Sequence, residues 1–136
     1  MRLLLALVWL SQILGQASDC NPNSFFRIHE LTLSPNPPIP NQNASLSIYY
    51  EAPFEVADGT SDFACTLNGI PVISSSHPLC EGMPCPITTG LHNLTNSIEI
   101  PEAKGSIVCR NRWTSSANEQ LLCVQIKMTQ SLFNWW

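Results

Sequence analysis

Six cysteines constrain this chain more than any other feature. Cys20, Cys65, Cys80, Cys85, Cys109 and Cys123 all lie beyond an N-terminal segment with the character of a secretory leader. An even cysteine set behind such a leader argues for three disulfides formed in an oxidising compartment, and so for a small, covalently stapled domain. A zinc site would need paired short ligand spacings. Only Cys80 and Cys85 are close, and His29, His77 and His92 are scattered, so no metal is expected. In the leader, Arg2 supplies the positive start, and Leu3 to Leu14 is a nearly unbroken apolar run. That run falls short of the roughly 20 residues a helix needs to span a bilayer. Gly15 and Ala17 then occupy small-residue positions, which places cleavage after Ala17. Residues 1–17 are therefore expected to be a signal peptide and residues 18–136 a single domain. The expected location is secreted or endo-lysosomal.

Beyond the leader no helical period of useful length appears, and the chain reads as short strands punctuated by Pro, Asn, Gly and Ser. Phe25 to Ser34 is the first strand, and the skip between Ile28 and Leu31 marks a bulge. Pro35 to Asn41 holds four prolines and cannot join a ladder. Ala44 to Glu51 alternates Leu46, Ile48 and Tyr50 with Ser45, Ser47 and Tyr49, the pattern of a half-buried strand. Ser61 to Leu67 and Ile70 to Ser75 flank Asn68-Gly69, a hairpin signal, because both central residues of the favoured turn need positive φ. Phe63, Cys65 and Leu67 share the inner face, and Pro71 puts the second arm at a sheet edge or limits its pairing. Ser76 to Gly90 is expected as a loop, followed by strands over 91–100 and 104–113 and a polar turn over 114–119. Gln120 to Thr129 is the clearest strand, with Leu122, Val124, Ile126 and Met128 opposed to Cys123, Gln125 and Lys127. About seven such strands point to an antiparallel β-sandwich.

The chemistry-bearing residues exclude more than they suggest. Six Lys and Arg face ten Asp and Glu, for a net charge of −4. No basic stripe is present, so nucleic acid is not an expected partner. The three histidines sit in no nucleophile elbow or metalloprotease motif, the acidic residues are dispersed, and the serine run 74–76 reads as solvated loop. The chain is not expected to be an enzyme or to need a cofactor. Asn43-Ala44-Ser45 and Asn93-Leu94-Thr95 are glycosylation sequons. Met83, in the short segment between Cys80 and Cys85, is either plain surface or a soft apolar contact. The aromatic tail Leu132 to Trp136 packs on the domain or touches a membrane interface.

Four stretches then converge on one family. They are Leu31 to Pro38 followed by Asn43 to Leu46, Leu79 to Ile87 with Gly90, Ile100-Pro101 with Ala103, and Leu121 to Val124. In this order and spacing the chain resembles the ML (MD-two-related lipid-recognition) domain family, which includes fungal phosphatidylglycerol/phosphatidylinositol transfer proteins and the lysosomal sterol-transfer protein of the Niemann–Pick type C system. The first stretch looks most like the fungal transfer proteins. The resemblance implies an all-β, immunoglobulin-like sandwich with a lipid tail held between its sheets. It also implies that Cys20 pairs with Cys123 and Cys80 with Cys85. Cys65 and Cys109 are then left to each other, in place of the N-terminal clip of the sterol-transfer members, which this chain lacks. The inward residues Phe26, Ile28, Leu46, Ile48, Tyr50, Phe63, Leu122, Val124 and Ile126 become candidate lipid contacts; otherwise they fill an ordinary core. The expected function is non-catalytic binding and carriage of a phospholipid or sterol. The partners expected are a lipid, a transient membrane contact and a protein receptor, with the domain acting as a monomer. The alternative is a secreted immunoglobulin-like module that binds a protein partner.

Overall fold

A computed structural model describes residues 13–100 and 104–130. Its strands are β1 (Ile13–Asp19), β2 (Arg27–Ser34), β3 (Asn43–Ala52), β4 (Gly59–Leu67), β5 (Ile70–Pro78), β6 (Gly90–Glu99), β7 (Gly105–Ser115) and β8 (Gln120–Gln130), with a 3-10 turn over Leu79–Glu81. They form a five-stranded sheet in the order β1-β8-β7-β4-β5 and a three-stranded sheet in the order β2-β3-β6, paired antiparallel throughout. The expected sandwich is therefore the observed architecture.

Local sequence accounts for most of the register. The ladder of β2 on β3 slips between Ile28 and Glu30, where the apolar alternation is broken. Asn68 and Gly69 have φ of 51° and 84°, so the β4–β5 turn uses the two residue types that tolerate the left-handed region most readily. β3 buries Ala44, Leu46, Ile48, Tyr50 and Ala52 and exposes Ser45, Tyr49 and Glu51. β8 buries Leu122, Val124, Ile126 and Met128 on the inner side. Three disulfides, Cys20–Cys123, Cys65–Cys109 and Cys80–Cys85, use every cysteine. Cys65 and Cys109 stand directly opposite each other across β4 and β7, so this bridge staples neighbouring strands of one sheet.

The structure departs from the expected layout in two places. β5 continues through Ser74-Ser75-Ser76 to Pro78, where a loop was expected from Ser76. An edge strand needs backbone pairing on one side only, so polar residues prolong it and Pro71 costs no ladder bond to a further strand. The other departure is β1, an eighth strand drawn partly from residues assigned to the leader. It pairs with β8 from Ile13 opposite Gln130 to Asp19 opposite Val124. Apolar residues such as Ile13 and Leu14 suit a leader and an edge strand equally, and β8 offers a row of backbone partners. Cleavage after Ala17 would leave only Ser18 and Asp19 of β1 in that ladder. Residues 1–12 and the tail 132–136 lie outside the described residues.

Candidate functional site

The two sheets meet closely along one side. The segment entering β2 hydrogen-bonds to the start of β8, with Phe25 and Phe26 donating to the carbonyls of Gln120 and Leu121 at 3.1 and 2.8 Å. Phe26 stacks on Tyr50 with centroids 5.6 Å apart, and both rings meet Trp113 edge-on at 6.5 and 5.3 Å. Such edge-to-face and offset contacts add to apolar burial. The Trp113 indole N–H donates to Asn111 Oδ1 at 2.8 Å, so this large side chain is buried with its polar atom satisfied.

Along the opposite side the sheets part. A cleft of about 410 Å³ lies between β3 and β6 of one sheet and β4, β5 and β7 of the other. Its apolar lining is Leu46, Ile48, Phe63, Ile73 and Ile98. A second cleft of about 310 Å³ shares Ser61, His77 and Asn96 with the first and reaches Leu79, Met83 and Trp113. A third, of about 300 Å³, shares Met83 with the second and runs past Tyr50, Ile87, His92 and Leu94. All three follow β6, the open edge of the small sheet. Volumes of this size fall in the range of small-molecule sites.

The candidate contacts named from sequence divide between these two sides. Leu46, Ile48 and Phe63 line the first cleft and Tyr50 the third. Phe26, Leu122, Val124 and Ile126 are buried core residues that line none of the three, and Ile28 packs half-buried against that core. The division follows from topology. β8 is flanked by β1 and β7 and covered by the segment leading into β2, whereas β5 and β6 have a free edge each. Ile73, Ile98 and the polar His77 and Asn96 were not picked out from sequence. The alternation along β6 (Leu94, Asn96 and Ile98 half-buried, their neighbours exposed) was the signal that could have found two of them. Met83 does face the clefts, as its apolar reading requires.

Charge is distributed unevenly about this site. Among the described residues no Lys or Arg lines the three clefts, while Glu81 and Glu99 do. Arg110 and Arg112 lie on the outer face of the five-stranded sheet, beside a separate 210 Å³ depression with Asp62 and Thr66. Arg110 there donates to Gln125 Oε1 at 3.1 Å. Burial raises the Tyr50 phenol above its ordinary value, so it stays protonated and available as a donor. Among the described residues no group of three or more His, Cys, Asp or Glu side chains is placed to hold a metal ion. Among them, too, no helix is long and apolar enough to cross a membrane. Both sequon asparagines, Asn43 and Asn93, are exposed on the three-stranded sheet; Asn93 also lines the third cleft.

Comparison with known proteins agrees with this architecture. Residues 16–130 match the family model described as the ML domain. A Dictyostelium discoideum protein, provisionally named phosphatidylglycerol/phosphatidylinositol transfer protein 1, is 33% identical over 122 residues, which cover 84% of this chain and 81% of that protein. The phosphatidylglycerol/phosphatidylinositol transfer protein of Mycosarcoma maydis is 25% identical over 126 residues, covering 83% and 64%. Among solved structures, chicken MD-1 complexed with lipid IVa superposes with a TM-score of 0.67 at 13% identity, covering 90% of this chain and 93% of that one. A Niemann-Pick type C2 protein from the Japanese carpenter ant gives 0.60 at 15% identity, covering 82% and 96%. These two likenesses are of fold.

Proposed function

We propose that this chain, which belongs to the ML domain family, binds and carries a lipid without catalysis, holding its apolar body in the cleft between the sheets. The observation that carries this reading is the 410 Å³ cleft lined by Leu46, Ile48, Phe63, Ile73 and Ile98. Burial of an acyl or polycyclic body there is worth roughly 25 cal/mol for each Å² removed from water. The names of the Dictyostelium and Mycosarcoma relatives support a transfer role with a phospholipid as cargo, and the apolar lining of the cleft equally suits a sterol body. Ile70, Val72 and Ile73 are 67%, 52% and 38% exposed on the edge strand beside the cleft, and offer an apolar contact for a membrane during loading.

The three disulfides suit a secreted or endo-lysosomal setting. We place glycans on Asn43 and Asn93, the second at the third cleft, and signal cleavage after Ala17. N-terminal sequencing and glycosidase treatment of protein secreted from eukaryotic cells test these two assignments. The function itself is tested by organic extraction of the purified protein with mass spectrometry, beside displacement of a fluorescent fatty-acid probe by fatty acids, phospholipids and sterols. A stoichiometric lipid, or displacement at micromolar concentration, is expected. If neither is found, the protein-binding alternative replaces the lipid carrier.

A further inference from the structure

The clefts are not uniformly apolar. Where the first and second join, Ser61, His77 and Asn96 line both, and Ser75 and Asn111 stand beside them in the first. Part of this polar band is already committed. Asn111 Nδ2 donates to Ser61 Oγ at 2.9 Å and to the Asp62 carbonyl at 3.1 Å, while its Oδ1 accepts from Trp113. The remainder is free. Among the described residues the side chains of Ser75, His77 and Asn96 form no hydrogen bond within the protein, and Ser61 keeps its own O–H to donate. Ser61, Ser75 and Asn96 are half-buried and His77 is exposed at the cleft mouth. Once an occupant displaces their water, polar groups left without partners are costly, so they favour one that brings hydrogen-bonding atoms to this level.

The charge pattern says what kind of atoms those are. Among the described residues the only acidic or basic side chains on the three clefts besides histidine are Glu81 and Glu99. A phosphate placed between the sheets would be desolvated with no cation to meet it and with carboxylates nearby, an unfavourable arrangement. The arginines that could pair with it bidentately are on the far face of the five-stranded sheet. Hydroxyl and carbonyl groups need no counter-charge, and Asn96, Ser61 and Ser75 can each donate to or accept from them.

We propose that the cleft selects an uncharged, hydroxyl-bearing amphiphile, its polar end held by Ser61, His77 and Asn96 and its apolar body along Leu46, Ile48, Phe63 and Ile98. This rests on the lipid-carrier reading and narrows it: anionic head groups are refused by the polar band. A lipid whose phosphate remains in solvent still binds through its tail, but gains nothing from the band.

The test compares a monoacylglycerol with a lysophosphatidic acid and a fatty-acid methyl ester of the same chain. Each displaces the same fluorescent probe from the full chain, at one pH and ionic strength. The monoacylglycerol is expected to bind at least about tenfold tighter than either of the others, a ratio that two neutral hydrogen bonds supply. In a His77→Leu/Asn96→Leu variant this advantage over the methyl ester should disappear. Because that variant alters the interior, the exposed Glu99→Lys is made beside it and should strengthen lysophosphatidic acid alone. Lysophosphatidic acid binding as tightly as monoacylglycerol to the unaltered chain overturns the proposal and leaves lipid carriage standing. If none of the three displaces the probe and no lipid copurifies, lipid carriage fails and the proposal with it.

Discussion

The β2–β8 side of this sandwich and its β5–β6 side are made from similar strands but reach opposite ends. On the first, Phe26, Leu122, Val124, Ile126 and Met128 are all buried and apolar, and the sheets pack closely. On the second, cleft-lining positions combine Phe63 with Ser61 on β4, Ile73 with Ser75 and His77 on β5, and Leu94 and Ile98 with Asn96 on β6. Two sheets cannot close over such side chains without stranding them, because an unpaired buried polar group costs more than the dispersion regained by closing the gap. The cleft is thus less a defect of packing than the consequence of writing polar residues into inner positions at the two free sheet edges. The covalent staples follow the same division: Cys20–Cys123 ties the chain start to β8 on the closed side, and Cys80–Cys85 shapes the loop carrying Met83 at the cleft.

The largest effect should come from unequal dependence on those two staples. The Cys20–Cys123 bridge spans 103 residues and the Cys80–Cys85 bridge five. In the chain-entropy account, replacing both members of the first by alanine costs roughly 4 to 5 kcal/mol, and of the second roughly 2 kcal/mol. Urea unfolding of the two double variants measures this directly. The division also predicts that removal of the short bridge disturbs lipid uptake more than its stability cost suggests, since it frees Met83. Equal losses of stability, with lipid uptake untouched in both, would show that the two sides are not separately stapled.

A pair of tryptophan substitutions sharpens the comparison further. Val124 is 1% exposed in the closed core, so Val124→Trp should overpack it and cost roughly 1 to 3 kcal/mol. Molecules that still fold should load lipid normally. Ile98 is half-buried on the cleft wall, and Ile98→Trp should place its ring in existing space. Its stability should change by under about 1 kcal/mol, because tryptophan suits a strand and nothing need move. Lipid loading should fall severalfold. Denaturation midpoints measured beside lipid displacement distinguish the two. A Val124→Trp protein that is stable but empty would move the cleft to the β8 side.

How far such a division could be read from sequence depends on the kind of signal. The strands and the hairpin were legible because alternation, Asn68-Gly69 and Pro71 act locally and leave one reading each. The disulfide partners came from resemblance; the positions of Cys65 and Cys109 directly across β4 and β7 needed the ladder itself. The cleft was half legible. Leu46, Ile48, Phe63 and Tyr50 share the inward alternation of Leu122, Val124 and Ile126, and nothing local says that the first group faces a gap and the second a packed sheet. That distinction arises only when sheet order leaves β5 and β6 at free edges and places β8 between two neighbours. Asn96 was passed over for a related reason: a lone polar residue in a strand reads as solvent-facing until its parity with buried neighbours is known; His77 fell in the segment from Ser76 that was expected to be a loop. β1 was hidden by the leader, whose apolar end carries the same residues an edge strand would.

The smallest effect concerns Tyr50, which touches both sides. Its ring is stacked on Phe26 in the closed core, yet it lines the third cleft together with His92, whose ring lies 5.4 Å away. Desolvation raises its phenol above the ordinary value of about 10 in the unfolded chain. The sign of the linkage follows from proton counts. Between the unfolded and folded values the unfolded chain has lost a proton that the folded protein keeps, so folding stability falls as pH rises through that window. Below it both states hold the proton and the phenol contributes nothing. Tyr50→Phe should therefore flatten the alkaline decline by the share of one group and leave stability near neutrality changed by under about 1 kcal/mol. A lipid that fills the third cleft would remove the remaining water from the phenol and delay its ionisation further. Phenolate absorbance, followed through an alkaline titration of loaded and delipidated protein, should show one of the two tyrosines shifting upward on loading. If the two titrations coincide, the lipid body ends before Tyr50 and occupies only the first and second clefts.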